Sequence, residues 1–74
     1  MNLELTRELL VAVEQQPDGK LRVTGRAAAR EVELLAHAGF IEGCAFPAGE
    51  MPTAIIERLT EAGWKLLNVL RQNG

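Results

Sequence analysis

Four basic side chains in the middle of the chain have the clearest potential for binding chemistry. They are Lys20, Arg22, Arg26 and Arg30. No acidic residue stands between Asp18 and Glu31, and basic groups gathered on one surface bind phosphates by neutralising their charge. The stretch therefore predicts a small nucleic-acid contact. The alternative is a solvated helix face on which Arg26 or Arg30 pairs with Glu33.

Catalysis and metal binding have little support in the residue types present. His37 is the only histidine and Cys44 the only cysteine, and the chain has no serine and no tyrosine. A Cys–His nucleophile would need a third orienting group, and none stands at a recognisable spacing. We therefore expect no enzyme activity, no metal site and no cofactor.

A second candidate surface is apolar and would contact a protein. Trp64 is predicted to lie away from the main apolar stripe of the last helix, and with Leu67 and Val11 it would form a patch for a partner or a second copy. The alternative is that Trp64 covers part of the core while its indole N–H stays in water. Val11 also points away from the apolar stripe of the first helix.

Length and charge limit what these residues can belong to. The chain has 74 residues, 47% of them apolar, and a net charge of −2. This is enough for one globular domain, residues 1–74, with a small core that a homodimer would complete. Residues 1–19 sum to −3 and residues 20–43 to +1, so a local basic patch is compatible with a mildly acidic protein. A single cysteine, the absence of a signal-like start and the absence of a long apolar run predict a soluble cytoplasmic protein without a membrane contact.

The spacing of apolar residues predicts six elements in the order α-β-α-β-β-α. They are a helix over 3–16, a strand over 20–24, a helix over 26–38, strands over 40–46 and 53–59, and a helix after Thr60. On the middle helix, Ala28, Val32 and Leu35 share one stripe, whereas Arg26, Arg30, Glu33 and His37 line the opposite side. The last helix is predicted to turn Ala62, Leu66, Val69 and Leu70 inward. The predicted core comprises Leu5, Leu9, Val13, Leu21, Val23, Val32, Leu35, Phe40, Ile41, Leu59, Leu66 and Leu70.

Two segments of the chain resemble winged-helix proteins. Residues 34–43, Leu-Leu-Ala-His-Ala-Gly-Phe-Ile-Glu-Gly, resemble the end of a recognition helix that runs into the first wing strand. Residues 58–63, Arg-Leu-Thr-Glu-Ala-Gly, resemble the entry to the closing helix. Over nearly its whole length the chain is similar to short winged-helix proteins of unknown function from bacteria and their phages. The resemblance implies a small winged-helix-like α+β domain with three helices and a small antiparallel sheet, in which 26–38 is the recognition helix and 47–52 the wing tip.

Two function hypotheses follow, because winged helices bind both nucleic acids and proteins. The first is a transcription-regulator-like module that contacts double-stranded DNA weakly through the four basic residues, as a dimer. The second is an accessory or regulatory module that acts by protein–protein interaction. The wing segment Pro-Ala-Gly-Glu-Met-Pro has no Lys or Arg, and a strand replaces the usual support helix. These two departures favour the second hypothesis.

Overall fold

The computed structural model describes residues 2–46 and 50–72, and it has the predicted order of elements. These are α1 (Leu3–Gln15), β1 (Leu21–Thr24), α2 (Arg26–His37), β2 (Ile41–Phe46), β3 (Thr53–Leu59) and α3 (Glu61–Gln72). The fold class is α+β, with three helices and a three-stranded antiparallel sheet. Of the predicted wing tip 47–52, residues 47–49 lie outside the described part of the chain.

Local capping explains where the helices begin and end. The Asn2 side chain accepts a hydrogen bond from the Leu5 amide (3.1 Å) at the start of α1, which satisfies one of the free amides of the first turn. At the end of α2, Gly39 adopts a φ of 85°. The Gly39 and Phe40 amides then donate to the carbonyl oxygens of Ala36 and Leu35, the Schellman arrangement that terminates a helix.

Thr60 joins the end of α2 to the start of α3. Its hydroxyl donates to the Gly39 carbonyl oxygen (2.6 Å) and accepts from the Gly63 amide (3.1 Å). A second bond runs from the Thr60 amide to the Phe40 carbonyl oxygen (3.1 Å). The segment resembling a closing-helix entry therefore fixes α3 against the turn that follows α2.

The sheet has the strand order β1-β3-β2, so β3 is central. The buried strand residues Ala54, Ile56, Ile41 and Leu59 lie on the inner face, which the helices cover. An irregularity at Glu42/Gly43 leaves Glu57 without a partner in β2. Side chains alternate between the two faces of a strand. The extra residue shifts this alternation by one position, so that Leu59 lies on the inner face.

The core differs from the predicted one at its edge and in the face that α3 turns inward, whereas Leu9, Val13, Val32 and Leu35 of α1 and α2 are buried as predicted. Six predicted core residues are only partly buried at its edge: Leu5, Leu21, Val23, Phe40, Leu66 and Leu70. Five others are fully buried and were not predicted: Leu10, Ala29, Ala54, Ile56 and Leu67. In α3, Gly63 and Leu67 face inward while Ala62 and Val69 are exposed. Position 63 requires glycine for a steric reason, because a β-carbon there would lie 2.0 Å from the Phe40 carbonyl oxygen.

The outer face of the sheet carries an ion pair that can be tested by titration. Arg58 binds Glu42 through two bonds, Nε to Oε2 (2.5 Å) and Nη2 to Oε1 (2.8 Å). The hydrogen bonds from Arg58 lower the pKa of the Glu42 carboxyl below its ordinary value of 4.5. Because the folded-state pKa is the lower one, the contribution of this pair to stability is present above the unfolded pKa and is lost as the pH falls through the folded pKa.

We therefore expect Arg58→Ala to return the pKa of Glu42 toward 4.5, as measured by NMR titration of the side-chain carboxyl carbon. Lys65→Ala, which removes a separate exposed pair with Glu61, is the control and should leave Glu42 unchanged. An unaltered Glu42 titration in Arg58→Ala would contradict this account of the pair.

Candidate interaction groove

The structure separates the four basic residues into two groups. All four are exposed. Arg26 and Arg30 line one groove on α2, whereas Arg22 pairs with Ile55 on the face of the sheet turned away from the helices. Lys20 precedes β1, where its amide bonds to the Asp18 side chain (3.0 Å). Only Arg26 and Arg30 therefore share a site.

The groove runs along the outer side of α2 and has a volume of about 410 Å³. Its lining residues are Arg26, Ala29, Arg30, Glu33, Leu34 and Pro52. Ala29, only 2% exposed, forms an apolar base, and Leu34 is 42% exposed. The opposite wall is fixed to the start of the helix, because the Gly25 amide donates to the Pro52 carbonyl oxygen (2.8 Å).

The charge in the groove is uneven. Across residues 2–46 and 50–72, neither Arg26 nor Arg30 forms an ion pair or side-chain hydrogen bond. The predicted alternative pairing with Glu33 is thus absent. The first turn of α2 also contains no acidic residue, although a carboxylate there would be favoured by the helix dipole. Two free guanidinium groups therefore stand at one end of an apolar groove, with the Glu33 carboxylate on the same surface.

The remaining candidate residues do not form a chemical site. His37 is exposed at the end of α2, and Cys44 is an exposed free thiol on the outer face of the sheet. In the described ranges, no group of three or more His, Cys, Asp or Glu residues could hold a metal ion.

The predicted protein-contact patch is wrong in one of its three members. Leu67 has no exposed surface, because it lies on the inward side of α3, and it cannot contact a partner of the folded chain. Trp64 is 44% exposed and Val11 is partly buried against the core. A contact through Trp64 and Val11 stays a prediction.

The groove and one buried charge were not predicted from the sequence. Leu34 lies on α2 and Pro52 in the connection between β2 and β3, so their proximity depends on how that connection folds back against the helix. Glu31 was not considered as a core residue, yet it is only 5% exposed. Its carboxylate accepts a hydrogen bond from the Thr6 hydroxyl (2.6 Å). The helical spacing of Thr6 with Leu9, Leu10 and Val13 on one side of α1 could have indicated a polar residue in the core.

Comparisons of the chain with family models, curated proteins and solved structures find no match. The class of protein is accordingly defined by the architecture alone, a three-helix α+β domain in which β3 is the central strand. Among the residues described, no helix has the length and apolar character needed to cross a membrane.

Proposed function

We propose that this chain is a winged-helix-like module that acts by protein–protein interaction, and that the outer side of α2 is its contact surface. The observation that carries the proposal is the groove, in which the unpaired Arg26 and Arg30 adjoin the apolar side chains of Leu34 and Pro52. Arginine and methionine are enriched at protein interfaces, lysine is depleted there, and the buried centre of an interface is more apolar than the rest of the surface. Met51, next to Pro52, is 68% exposed and adds apolar surface nearby.

Double-stranded DNA is the second candidate ligand. The exposed, unpaired Arg26 and Arg30 favour it, since they lie on the helix that corresponds to a recognition helix by resemblance. Two features weigh against it. Glu33 lines the same groove and would repel phosphates, and Glu50, Met51 and Pro52 after β2 provide no positive charge. DNA binding, as by a transcription regulator of bacterial or phage type, is therefore the second candidate function.

Titration with a labelled generic duplex separates the two candidates. With at most two arginines available in the groove, we expect no binding that depends on Arg26 and Arg30 at ~50 mM salt and tens of micromolar protein. Arg26→Glu/Arg30→Glu is the matched variant. It should remain folded, because both positions are exposed and an acidic residue at position 26, in the first turn of α2, is favoured by the helix dipole. Binding of the wild type that this variant abolishes would overturn the protein-interaction proposal.

Site-specific crosslinking in cells tests the proposal directly. A photoreactive residue replaces Leu34 in the groove, and a control carries it at the exposed Asn68 on α3. We expect a discrete protein adduct from position 34 alone. The purified partner should then bind the wild-type chain in calorimetry and fail to bind Arg26→Glu/Arg30→Glu. Equal adducts from both positions, or binding that is indifferent to the arginine changes, would contradict the proposal.

A further inference from the structure

The order of charged and apolar side chains along α2 restricts which ligands the groove can bind. Arg26 and Arg30 are four residues apart, and Leu34 follows after four more. Side chains at this spacing lie on one side of a helix, about 6 Å apart along its axis. The groove therefore presents two positive groups and then an apolar group along one side of α2, in a row that turns gradually around the helix.

The two arginines require a negatively charged group from another molecule to pair with. Neither has a partner within residues 2–46 and 50–72, and both are exposed beside the apolar base formed by Ala29. A guanidinium binds a carboxylate through two parallel hydrogen bonds and remains charged at every physiological pH. An occupant that covers Leu34 and Pro52 would also exclude water from around these bonds, which strengthens them.

We propose that the groove binds an acidic segment of a partner protein, with two carboxylates on Arg26 and Arg30 and an apolar side chain against Leu34 and Pro52. This inference rests on the proposed protein-interaction function and specifies the chemistry of the partner. Charge complementarity favours a carboxylate-bearing peptide over a nucleic acid. The apolar half of the groove offers no favourable contact to a phosphate. Glu33 would repel a continuous phosphate backbone, whereas its carboxylate would accept a hydrogen bond from a donor group of a peptide.

A partner segment that is helical would have to repeat the spacing of α2. Two acidic residues four apart, with an apolar residue four further along, place all three groups on one side of a helix. Helices pack in either direction, so the apolar residue comes first in one orientation and last in the other. This gives two alanine-based probe peptides, each carrying two Glu and one Leu at four-residue intervals.

The experiment measures binding of both labelled peptides to the full chain by fluorescence anisotropy. The control peptide has the same composition, with one Glu moved by two residues to the opposite side of the helix. We expect at least one patterned peptide to bind, and Arg26→Glu/Arg30→Glu to weaken it by about tenfold or more, as for close charge pairs at interfaces. Leu34→Ala should weaken it severalfold without changing its salt dependence.

A charge exchange makes the test specific. A peptide with Arg in place of both Glu residues should not bind the wild-type chain, and it should bind Arg26→Glu/Arg30→Glu about as well as the original pair bound, because the guanidinium–carboxylate pairs are kept with their positions exchanged. Equal binding of patterned and control peptides, or no binding of either patterned peptide, would overturn the proposed chemistry. If the crosslinked partner nevertheless binds through Leu34, the protein-interaction function stands and only the acidic character of its partner fails.

Two other occupants would give different results in the same series. A generic duplex that competes with the peptide and loses its binding in Arg26→Glu/Arg30→Glu would identify the groove as a nucleic-acid site. A wild-type homodimer that this variant dissociates, seen by sedimentation, would identify a second copy as the occupant. Either result overturns the proposal.

Discussion

Gly63→Ala is expected to unfold a large fraction of the protein under conditions in which the wild type is folded. A β-carbon at this position would lie 2.0 Å from the carbonyl oxygen of Phe40 and 3.1 Å from its carbonyl carbon. These are backbone atoms, and the bond from the Thr60 amide to the same oxygen (3.1 Å) holds them in place. Helix α3 would have to move away from the turn, with a loss of about 3 kcal/mol or more. A core of this size supplies only ~3–5 kcal/mol.

Whether Gly63→Ala lowers or raises the free energy of unfolding distinguishes the effect of packing from the effect of helix propensity. Alanine is favoured over glycine by about 1 kcal/mol in a helix interior, so propensity alone predicts that Gly63→Ala stabilises. Asn68→Ala, at an exposed position of the same helix, is the control and should be neutral or slightly stabilising. Urea unfolding followed by circular dichroism measures both. A Gly63→Ala midpoint equal to or above that of the wild type would contradict the close approach of α3.

Glu31→Ala is expected to cause the second largest loss, because it breaks a buried polar contact between α1 and α2. The Thr6 hydroxyl lies 2.6 Å from Glu31 Oε1 and 2.8 Å from the Asn2 carbonyl oxygen, and the Asn2 amide approaches Oε2 at 3.5 Å. Thr6 is fully buried and Glu31 is 5% exposed. Alanine would remove the two bonds made by the Glu31 side chain and leave a cavity, at a cost of about 2–3 kcal/mol, whereas the Thr6 hydroxyl would keep the Asn2 carbonyl oxygen as its acceptor.

Two further variants distinguish hydrogen bonding from charge at this contact. Glu31→Gln keeps groups that can bond Thr6 and the Asn2 amide and loses only the attraction of a carboxylate for the start of α1, so we expect a loss of about 1 kcal/mol or less. Glu33→Ala, an exposed neighbour on the same helix, should change stability by no more than about 0.5 kcal/mol. If Glu31→Ala were as mild as Glu33→Ala, the contact would have no stabilising role.

The elements of the fold were predictable because their signals are local. The alternation of β1, the Gly39 stop and the Thr60 cap all act within a few residues, and each boundary agrees with the structure to within about one residue. The inward face of each helix was less predictable, since it depends on contacts between elements that are distant in sequence. Leu10 lies one helical turn after Thr6, which bonds to Glu31 of α2, and Leu67 lies one turn after Gly63, which is packed against Phe40; both contacts join elements far apart in sequence.

The candidate site was predictable only in part, for the same reason. The exposure of Arg26 and Arg30 follows from the periodicity of α2, and the structure agrees with it. Their separation from Arg22 depends on which face of β1 points away from α2. Counting charges along the sequence does not show this. The apolar half of the groove includes Pro52, which is held at the start of α2 by one backbone hydrogen bond.

The central position of β3 has a consequence for how the protein is made. Both described strand pairings, β1 with β3 and β2 with β3, use residues 53–59. Synthesis proceeds from the N-terminus, so a ribosome that has not yet added residue 53 holds a chain with two strands of the sheet and no pairing between them. The edge of β1 and the edge of β2 that will pair with β3 stay open until this segment leaves the exit tunnel, and nascent chains halted before that point should be the form most prone to aggregation and proteolysis.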